Sequence, residues 1–161
     1  MANILFVCTA NRFRSPLAAL YFARELVRHG DDQDVRVSSA GTWTIPERPA
    51  TPEVIAFAKS LGLNLSMHKS RVVSKRILSD ADLVVVMESG HKESLSNEFP
   101  ATSDQIYLLS DIIQGVSYDI PDPYTGDEKI EDIANEIIAL IDKGYEKFIT
   151  LARKRQNRKG S

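Results

Sequence analysis

The chain has 161 residues, of which 43% are hydrophobic, enough for one domain with a buried core. Its 20 basic and 22 acidic residues leave a formal net charge of -2, which argues against nucleic acid as a partner because backbone-binding proteins are normally basic. No long apolar run is present, so we expect no membrane span. The single cysteine, Cys8, allows neither an intrachain disulfide nor a multi-cysteine metal site, and it suits a reducing, cytoplasmic setting.

The first part of the chain predicts a strand, a loop, a helix and a second strand. Residues 3–7 are apolar and partly β-branched, as in a buried strand. A small, polar loop at 9–14 follows. Ser15-Pro16 then has the form of a helix N-cap and first helical residue, and Gly30 that of the stop. The second strand is predicted at 35–39.

The alternation of helices and strands continues along the chain. The further predicted elements are a helix from Thr51-Pro52 to near Gly62, a strand at 82–87, a helix at 88–97, a short strand at 105–109 and a long helix from Ile130 to about Arg155. The run at 82–87 is the strongest strand signal and is typical of the middle of a parallel sheet. We expect one domain over residues 1–161, with a basic, flexible tail at about 153–161.

This order of elements predicts a single-domain α/β fold, with a doubly wound, four-stranded parallel sheet and helices on both faces. In such folds, ligands bind beyond the carboxyl ends of the strands, where the strand order reverses. We therefore expect a ligand-binding site at the loop that begins at Cys8.

The segment from Cys8 to Ser15 has the chemistry of an anion site. A loop between a strand and a helix N-terminus aims backbone N–H groups and the positive end of the helix dipole at one spot. A phosphate group or the Cys8 thiolate can be stabilised there, and the Ser15 hydroxyl can donate to the thiolate. Arg14 can hold two phosphate oxygens at once, and Asn11 tolerates the left-handed backbone of a tight loop. These features favour nucleophilic attack by Cys8 on a phosphate ester.

Asp122, between Pro121 and Pro123, is a candidate general acid. A departing tyrosyl oxygen needs a proton at neutral pH, and the flanking prolines would hold the carboxyl stiffly. From the residues alone, Cys8 and Asp122 both fit ordinary structural roles as well. A cysteine at the end of a buried strand is most often a small core residue, and aspartate beside proline is common in turns.

Residues 7–16 (Val-Cys-Thr-Ala-Asn-Arg-Phe-Arg-Ser-Pro) resemble the signature of the low-molecular-weight protein tyrosine phosphatases, and residues 122–124 (Asp-Pro-Tyr) resemble the acid loop of that family. Segments 39–43, 68–71 and 81–87 also lie where the family has similar residues. The resemblance spans nearly the whole chain. It implies a protein tyrosine phosphatase that hydrolyses phosphotyrosine proteins or small aryl phosphates without metal or cofactor, with inorganic phosphate as product and inhibitor.

The same resemblance implies the catalytic roles. Cys8 would attack phosphorus and form a phosphocysteine, while Asp122 protonates the tyrosyl oxygen and then activates water. Arg14 and the loop amides would bind the phosphoryl group. The loop residues so implied are Thr9, Ala10, Asn11, Arg12, Phe13 and Ser15.

The resemblance also implies supporting residues. Ser39 and His68 would join Asn11 and Ser15 in a polar network that holds the loop open. Trp43 and Tyr124 would form aromatic walls of a deep slot for phosphotyrosine. For three of these residues a plainer role also fits: Trp43 as a core aromatic, Tyr124 as a loop aromatic and His68 as an ordinary hydrogen-bonded histidine.

Three positions depart from the family pattern. Ala10 stands where the family usually has Gly, which would cost on the order of 1 kcal/mol if the position needs a positive φ. Phe13 stands where a second Cys is common, so no protective disulfide can form with Cys8. Arg12 stands where many relatives have an apolar residue; it would favour acidic phosphopeptides, strengthen phosphate capture or simply be solvated.

Four further functions remain open from the sequence. A phosphoarginine phosphatase could share the same loop. An arsenate reductase on this scaffold would need further cysteines. A phosphocarrier subunit of a sugar transport system would have no use for Asp122. A non-catalytic phosphotyrosine-binding relic would not need the full set of catalytic groups.

Overall fold

The computed structural model describes residues 1–113 and 115–159. The elements in chain order are β1 (Ala2–Cys8), α1 (Arg14–His29), β2 (Val35–Gly41), α2 (Pro52–Ser60), α3 (Lys75–Asp80), β3 (Leu83–Val86), α4 (Ser89–Glu98), β4 (Ile106–Leu108) and α5 (Ile130–Lys159). Short 3-10 helices at Pro100–Gln105 and Leu109–Ile112 flank β4. In the part of the chain so described, no helix is both long and apolar enough to cross a bilayer.

The four strands form one parallel sheet in the order β2-β1-β3-β4. Ile4 is in register with Val37 on one side and with Leu83 on the other, and Val84 is in register with Ile106. The single-domain α/β prediction is confirmed. The strand order reverses between β1 and β3, since β2 and β4 lie on opposite sides of this central pair.

Each central strand is apolar on both faces because helices cover both faces. Alternate side chains of β1, such as Phe6, pack on one face into the core formed with α1 and α5. The Phe6 ring lies 5.8 Å from that of Phe22 and 6.1 Å from that of Phe148, between ring centroids. The intervening side chains Leu5 and Val7 belong to a second core with residues of α3 and α4.

The starts of α1 and α2 show one wrong and one correct prediction. Thr51 is the N-cap of α2 and Pro52 its first residue, as predicted. Ser15 is not the N-cap of α1. Phe13 is the N-cap, so the helix begins two residues earlier than predicted, at Arg14, and the N–H of Leu17 donates to the carbonyl of Phe13. The Ser15 hydroxyl instead contacts Cys8 and Asn11, which are brought near it by the loop.

Two further differences concern a missed helix and the C-terminus. The sequence did not predict α3, which has six residues and is capped by the Ser74 side chain, accepting from the N–H of Ile77. The sequence predicted a flexible tail from about residue 153, whereas α5 continues to Lys159. Arg153 is paired with Asp31. Gly160 and Ser161 of the predicted tail lie outside the described residues.

The end of β2 lies unusually close to the loop that follows β1. A Cβ atom on Gly41 would lie 2.4 Å from the carbonyl oxygen of Thr9, so any larger residue would push against the loop backbone. The loop is held there by N–H donors from the residues after Gly41: Thr42 to the carbonyl of Cys8 at 2.9 Å and Trp43 to that of Thr9 at 3.1 Å. Gly41 is therefore required by this close approach.

We predict that Gly41→Ala lowers the free energy of unfolding by about 1–3 kcal/mol, because the methyl group can be accommodated only by shifting backbone. Urea denaturation measures the effect. Gly90→Ala is the matched control, since Gly90 lies in α4 with nothing within 4 Å of an added Cβ. A helical Gly-to-Ala change there should leave stability unchanged or raise it by up to about 1 kcal/mol. Equal stability of the two variants would contradict the packing described for Gly41.

Candidate active site

The site lies where the strand order reverses. After β1 the chain turns to α1 on one face of the sheet, and after β3 it turns to α4 on the other. The two turns leave a crevice at the carboxyl ends of the strands, the usual ligand position in such sheets. Cys8, the last residue of β1, opens one of the two turns, and Glu88, just after β3, stands in the other.

A small cavity of about 80 Å³ is found in this crevice. It brings together the first loop and the distant Asp122, together with the start of α2. The lining residues are Cys8, Ala10, Arg12, Phe13, Arg14, Thr51, Asp122, Pro123 and Tyr124. In residues 1–113 and 115–159, no group of three or more His, Cys, Asp or Glu side chains is arranged to hold a metal ion.

The Cys8 thiol is buried and has a hydroxyl partner. Its Sγ lies 2.9 Å from the Oγ of Ser15. That Oγ accepts from the Nδ2 of Asn11 at 2.8 Å, and its own hydrogen has two acceptors within reach, the nearby sulfur and the carbonyl of Ala40 at 3.4 Å. The arrangement suits a thiolate, because an anionic sulfur is an acceptor only.

Asn11 holds the loop in shape. Its φ of 58° is in the left-handed region that the sequence predicted for this position. Its Nδ2 also donates to Ser39 Oγ at 2.9 Å, and its Oδ1 accepts from the N–H of Arg71 at 3.0 Å. The Nε2 of His68 donates to the carbonyl of Asn11 at 2.7 Å. Burial lowers the pKa of His68, and this carbonyl opposes part of the effect, so the ring is neutral at physiological pH.

The substitutions at 10 and 13 fit the loop. Ala10 is not among the residues with positive φ, so its methyl group adds no left-handed strain. Phe13 is 4% exposed, and its ring meets that of Tyr124 edge-on at 6.0 Å between centroids. An aromatic residue thus stands where the family commonly has a second thiol, and it forms part of the cavity wall.

Arg14 is buried beneath the loop. Its Nη1 donates to Glu88 Oε2 at 2.9 Å and to the carbonyl of Ile120 at 2.7 Å. The N–H of Ile120 in turn donates to the carbonyl of Met87, which ties the segment before Asp122 to the end of β3. Glu88 was not predicted from the sequence. Its position directly after the strongest predicted strand, at the carboxyl edge of the predicted sheet, could have identified it as a site residue.

Asp122 and Tyr124 form the opposite wall. Asp122 is half-buried, and its Oδ1 accepts from the N–H of Tyr124 at 2.9 Å, leaving Oδ2 for another partner. The Tyr124 hydroxyl donates to Glu53 Oε2 at 3.0 Å. Burial, together with Glu53, raises the pKa of Tyr124, so its hydroxyl stays protonated.

Trp43 and Arg12 differ in how they are held. Trp43 is 82% exposed, which is incompatible with a core aromatic, and it is not part of the cavity lining. Arg12 lines the cavity and is not simply solvated, because its Nε donates to the carbonyl of Pro49 at 2.8 Å.

The site also contains two residues, Thr51 and His91, that were not predicted from the sequence to belong to it. Thr51, expected only as a helix cap, places its buried side chain in the cavity wall. His91, in the first turn of α4, reaches the loop from the other side, with Nε2 2.8 Å from the Oγ1 of Thr9. Both depend on contacts between segments far apart in sequence.

The chain resembles known proteins over almost its whole length. Residues 3–159 match the family model described as low molecular weight phosphotyrosine protein phosphatase. A protein-arginine-phosphatase of Bacillus subtilis is 34% identical over 77% of this chain and 81% of its own length. The low molecular weight protein-tyrosine-phosphatase Wzb of Escherichia coli is 34% identical over 76% and 78%, respectively.

Among solved structures, a low molecular weight protein tyrosine phosphatase from T. tengcongensis superimposes with a TM-score of 0.83. It is 34% identical, and the match covers 91% of this chain and 99% of that one. Fold and sequence agree along the length of the chain. The chain therefore belongs to the low molecular weight phosphotyrosine protein phosphatase family.

Proposed function

We propose that the protein hydrolyses phosphotyrosine in proteins, or small aryl phosphates, through a phosphocysteine intermediate on Cys8. The observation that carries this proposal is that the Cys8 thiol, the Arg14 guanidinium and the Asp122 carboxyl line one small cavity. A nucleophile, an anion-binding group and a proton donor are the three parts that cleavage of an aryl phosphate needs.

In the first half-reaction, the Cys8 thiolate attacks phosphorus, so that an S–P bond forms while the P–O bond to the phenol breaks. The Ser15 hydroxyl, 2.9 Å from Sγ, steadies the thiolate before attack. Asp122 transfers its proton to the departing phenolic oxygen. Its Oδ2 is the available oxygen, because Oδ1 accepts from the N–H of Tyr124.

In the second half-reaction, the Asp122 carboxylate takes a proton from water, which attacks phosphorus and breaks the S–P bond. The thiolate is restored and inorganic phosphate is released. Because phosphate fits the same loop as the substrate, it is both product and inhibitor.

Arg14 holds the phosphoryl oxygens through both steps. Its contacts with Glu88 and Ile120 both use Nη1. They fix the plane of the guanidinium and leave its Nε and Nη2 edge for a bidentate contact with two oxygens. Lys at this position would supply a charge without that geometry.

The cavity walls support an aryl substrate. The Phe13 and Tyr124 rings, with Pro123, give the wall the flat, apolar surface that a phenyl ring prefers. Trp43 is exposed and its backbone N–H is bonded to Thr9 of the loop, so its ring would meet the substrate protein outside the cavity. A single thiol functions best in a reducing compartment, so we propose the cytoplasm as the setting.

Phosphoarginine is a second candidate substrate, favoured by the similarity to a protein named as an arginine phosphatase. Three further functions have less support. An arsenate reductase would need more cysteines, and Cys8 is the only one. A phosphocarrier would not use Asp122, and a binding relic would not preserve a thiol with a hydroxyl donor.

We predict that Cys8→Ser abolishes hydrolysis of para-nitrophenyl phosphate measured without metal, because a serine hydroxyl is not ionised at neutral pH. Thermal melting should confirm that the variant is folded. Full turnover by Cys8→Ser would contradict the proposed nucleophile.

We predict that Asp122→Asn lowers kcat/KM for phenyl phosphate by about 10²–10⁴-fold, the usual contribution of general acid catalysis. The comparison uses kcat/KM because it covers only the steps up to formation of the phosphocysteine, whereas hydrolysis of that intermediate is common to all substrates. The loss should be smaller for para-nitrophenyl phosphate, whose leaving group needs less protonation. Asp127→Asn, in the exposed part of the same loop, is the matched control for the loss of charge. An equal loss for the two substrates would argue against an acid role for Asp122.

We predict that a phosphotyrosine peptide has a kcat/KM at least about tenfold above that of the same peptide carrying phosphoarginine, because the aromatic walls favour the phenyl ring. Release of inorganic phosphate measures both reactions. Tyr124→Leu should reduce the ratio by removing one ring. A higher kcat/KM for phosphoarginine would favour the second candidate.

A further inference from the structure

The N-terminus of α4 meets the phosphate loop across the crevice at two points. Glu88, its N-cap, binds Arg14 at 2.9 Å. His91, three residues later, is 6% exposed and approaches Thr9, the residue directly after Cys8. Glu88 thus contacts the arginine at the end of the loop, and His91 contacts the residue at its start.

The hydrogen bonds of His91 fix its tautomer. Its Nδ1 accepts from the backbone N–H of Glu88 at 3.1 Å, so this nitrogen carries no hydrogen. The hydrogen of the neutral ring is therefore on Nε2, which donates to the Oγ1 of Thr9 at 2.8 Å. Glu88 Oε2 also lies 3.4 Å from Nε2.

The surroundings keep this ring neutral. Burial lowers the pKa of His91 to about 4, and the Arg14 guanidinium acts in the same direction. Three carboxylates oppose this effect: Glu88 on α4 itself, and Asp119 and Asp122 on the facing loop. The ring thus remains an Nε2–H donor to Thr9 throughout the physiological pH range.

Thr9 is held from both sides. Its side chain accepts from His91, and its backbone carbonyl accepts from the N–H of Trp43 at 3.1 Å. The Thr9–Ala10 segment is where the chain leaves β1 and bends into the loop. Its peptide groups belong to the set that would surround a phosphoryl group, so their direction depends on how Thr9 is held.

We propose that His91 is a positioning residue, which orients the first turn of the phosphate loop for phosphate binding through its Nε2–H bond to Thr9. The proposal rests on the proposed function, to which it adds a residue that touches neither substrate nor nucleophile.

Two substitutions separate this role from a role as a helix cap alone. In His91→Gln, the side-chain nitrogen can reach the place of Nε2 and donate to Thr9, while the acceptor for the Glu88 N–H is lost. In His91→Asn, the shorter side chain can still accept from the Glu88 N–H as a cap, but it no longer reaches Thr9. Calorimetric titration with inorganic phosphate and thermal melting are measured for each.

We expect His91→Asn to bind phosphate about tenfold more weakly than wild type, as for the loss of one buried hydrogen bond. His91→Gln should bind within about twofold of wild type but melt at a lower temperature than His91→Asn. The two measurements thus rank the variants in opposite order. A merely structural role would rank them in the same order, and that result would overturn the proposal, as would wild-type affinity in His91→Asn.

Thr9→Val tests the hydrogen bond between His91 and Thr9 by changing the acceptor. It provides the test if a His91 variant fails to fold. It keeps the shape of Thr9 while removing the acceptor, so it should weaken phosphate binding by about the same factor. Unchanged affinity in Thr9→Val would also overturn the proposal. Binding of phosphate by a wild type that hydrolyses no aryl phosphate would defeat the proposed function but leave this test intact.

Discussion

The left-handed turn at Asn11 is the constraint on which the site depends. A non-glycine residue in that conformation costs about 1 kcal/mol, and here the cost is offset by bonds to four neighbours: Ser15, Ser39, His68 and Arg71. Because these partners come from α1, β2 and the segment before α3, the loop shape is set by the packed fold. The loop therefore has this shape before any ligand arrives, so a ligand bound there would lose little free energy in ordering it.

The sheet topology explains why such a loop can be braced from two sides. The reversal of strand order puts α1 and α4 on opposite faces, and both helices begin at the same edge of the sheet. Arg14 at the start of α1 can thus meet Glu88 at the start of α4, 2.9 Å away. The same geometry lets Ile120 join both segments, which ties the position of the proposed acid to that of the proposed nucleophile.

Local signals made the strands and the loop between β1 and α1 predictable. Apolar runs marked β1 and β3, Thr51-Pro52 marked the start of α2, and the left-handed tolerance of asparagine marked Asn11. Contacts between residues far apart in the chain could not be predicted from one sequence. Ser15 looked like a cap because its contact with Cys8 is created by folding, and Arg153 looked free because Asp31 lies far away in the chain. His91 was missed because nothing near it in sequence indicates Thr9 as its partner.

The proposed function requires that the phosphoryl group pass to the sulfur of Cys8. Rapid acid quenching during turnover of an aryl phosphate, followed by intact-mass measurement and peptide mapping, tests it most directly. We expect the protein to gain the mass of one phosphoryl group, located on the peptide that contains Cys8, and to lose it as the substrate is exhausted. Steady turnover with the phosphoryl group on another residue, or with none on the protein at any time, would contradict the proposed function.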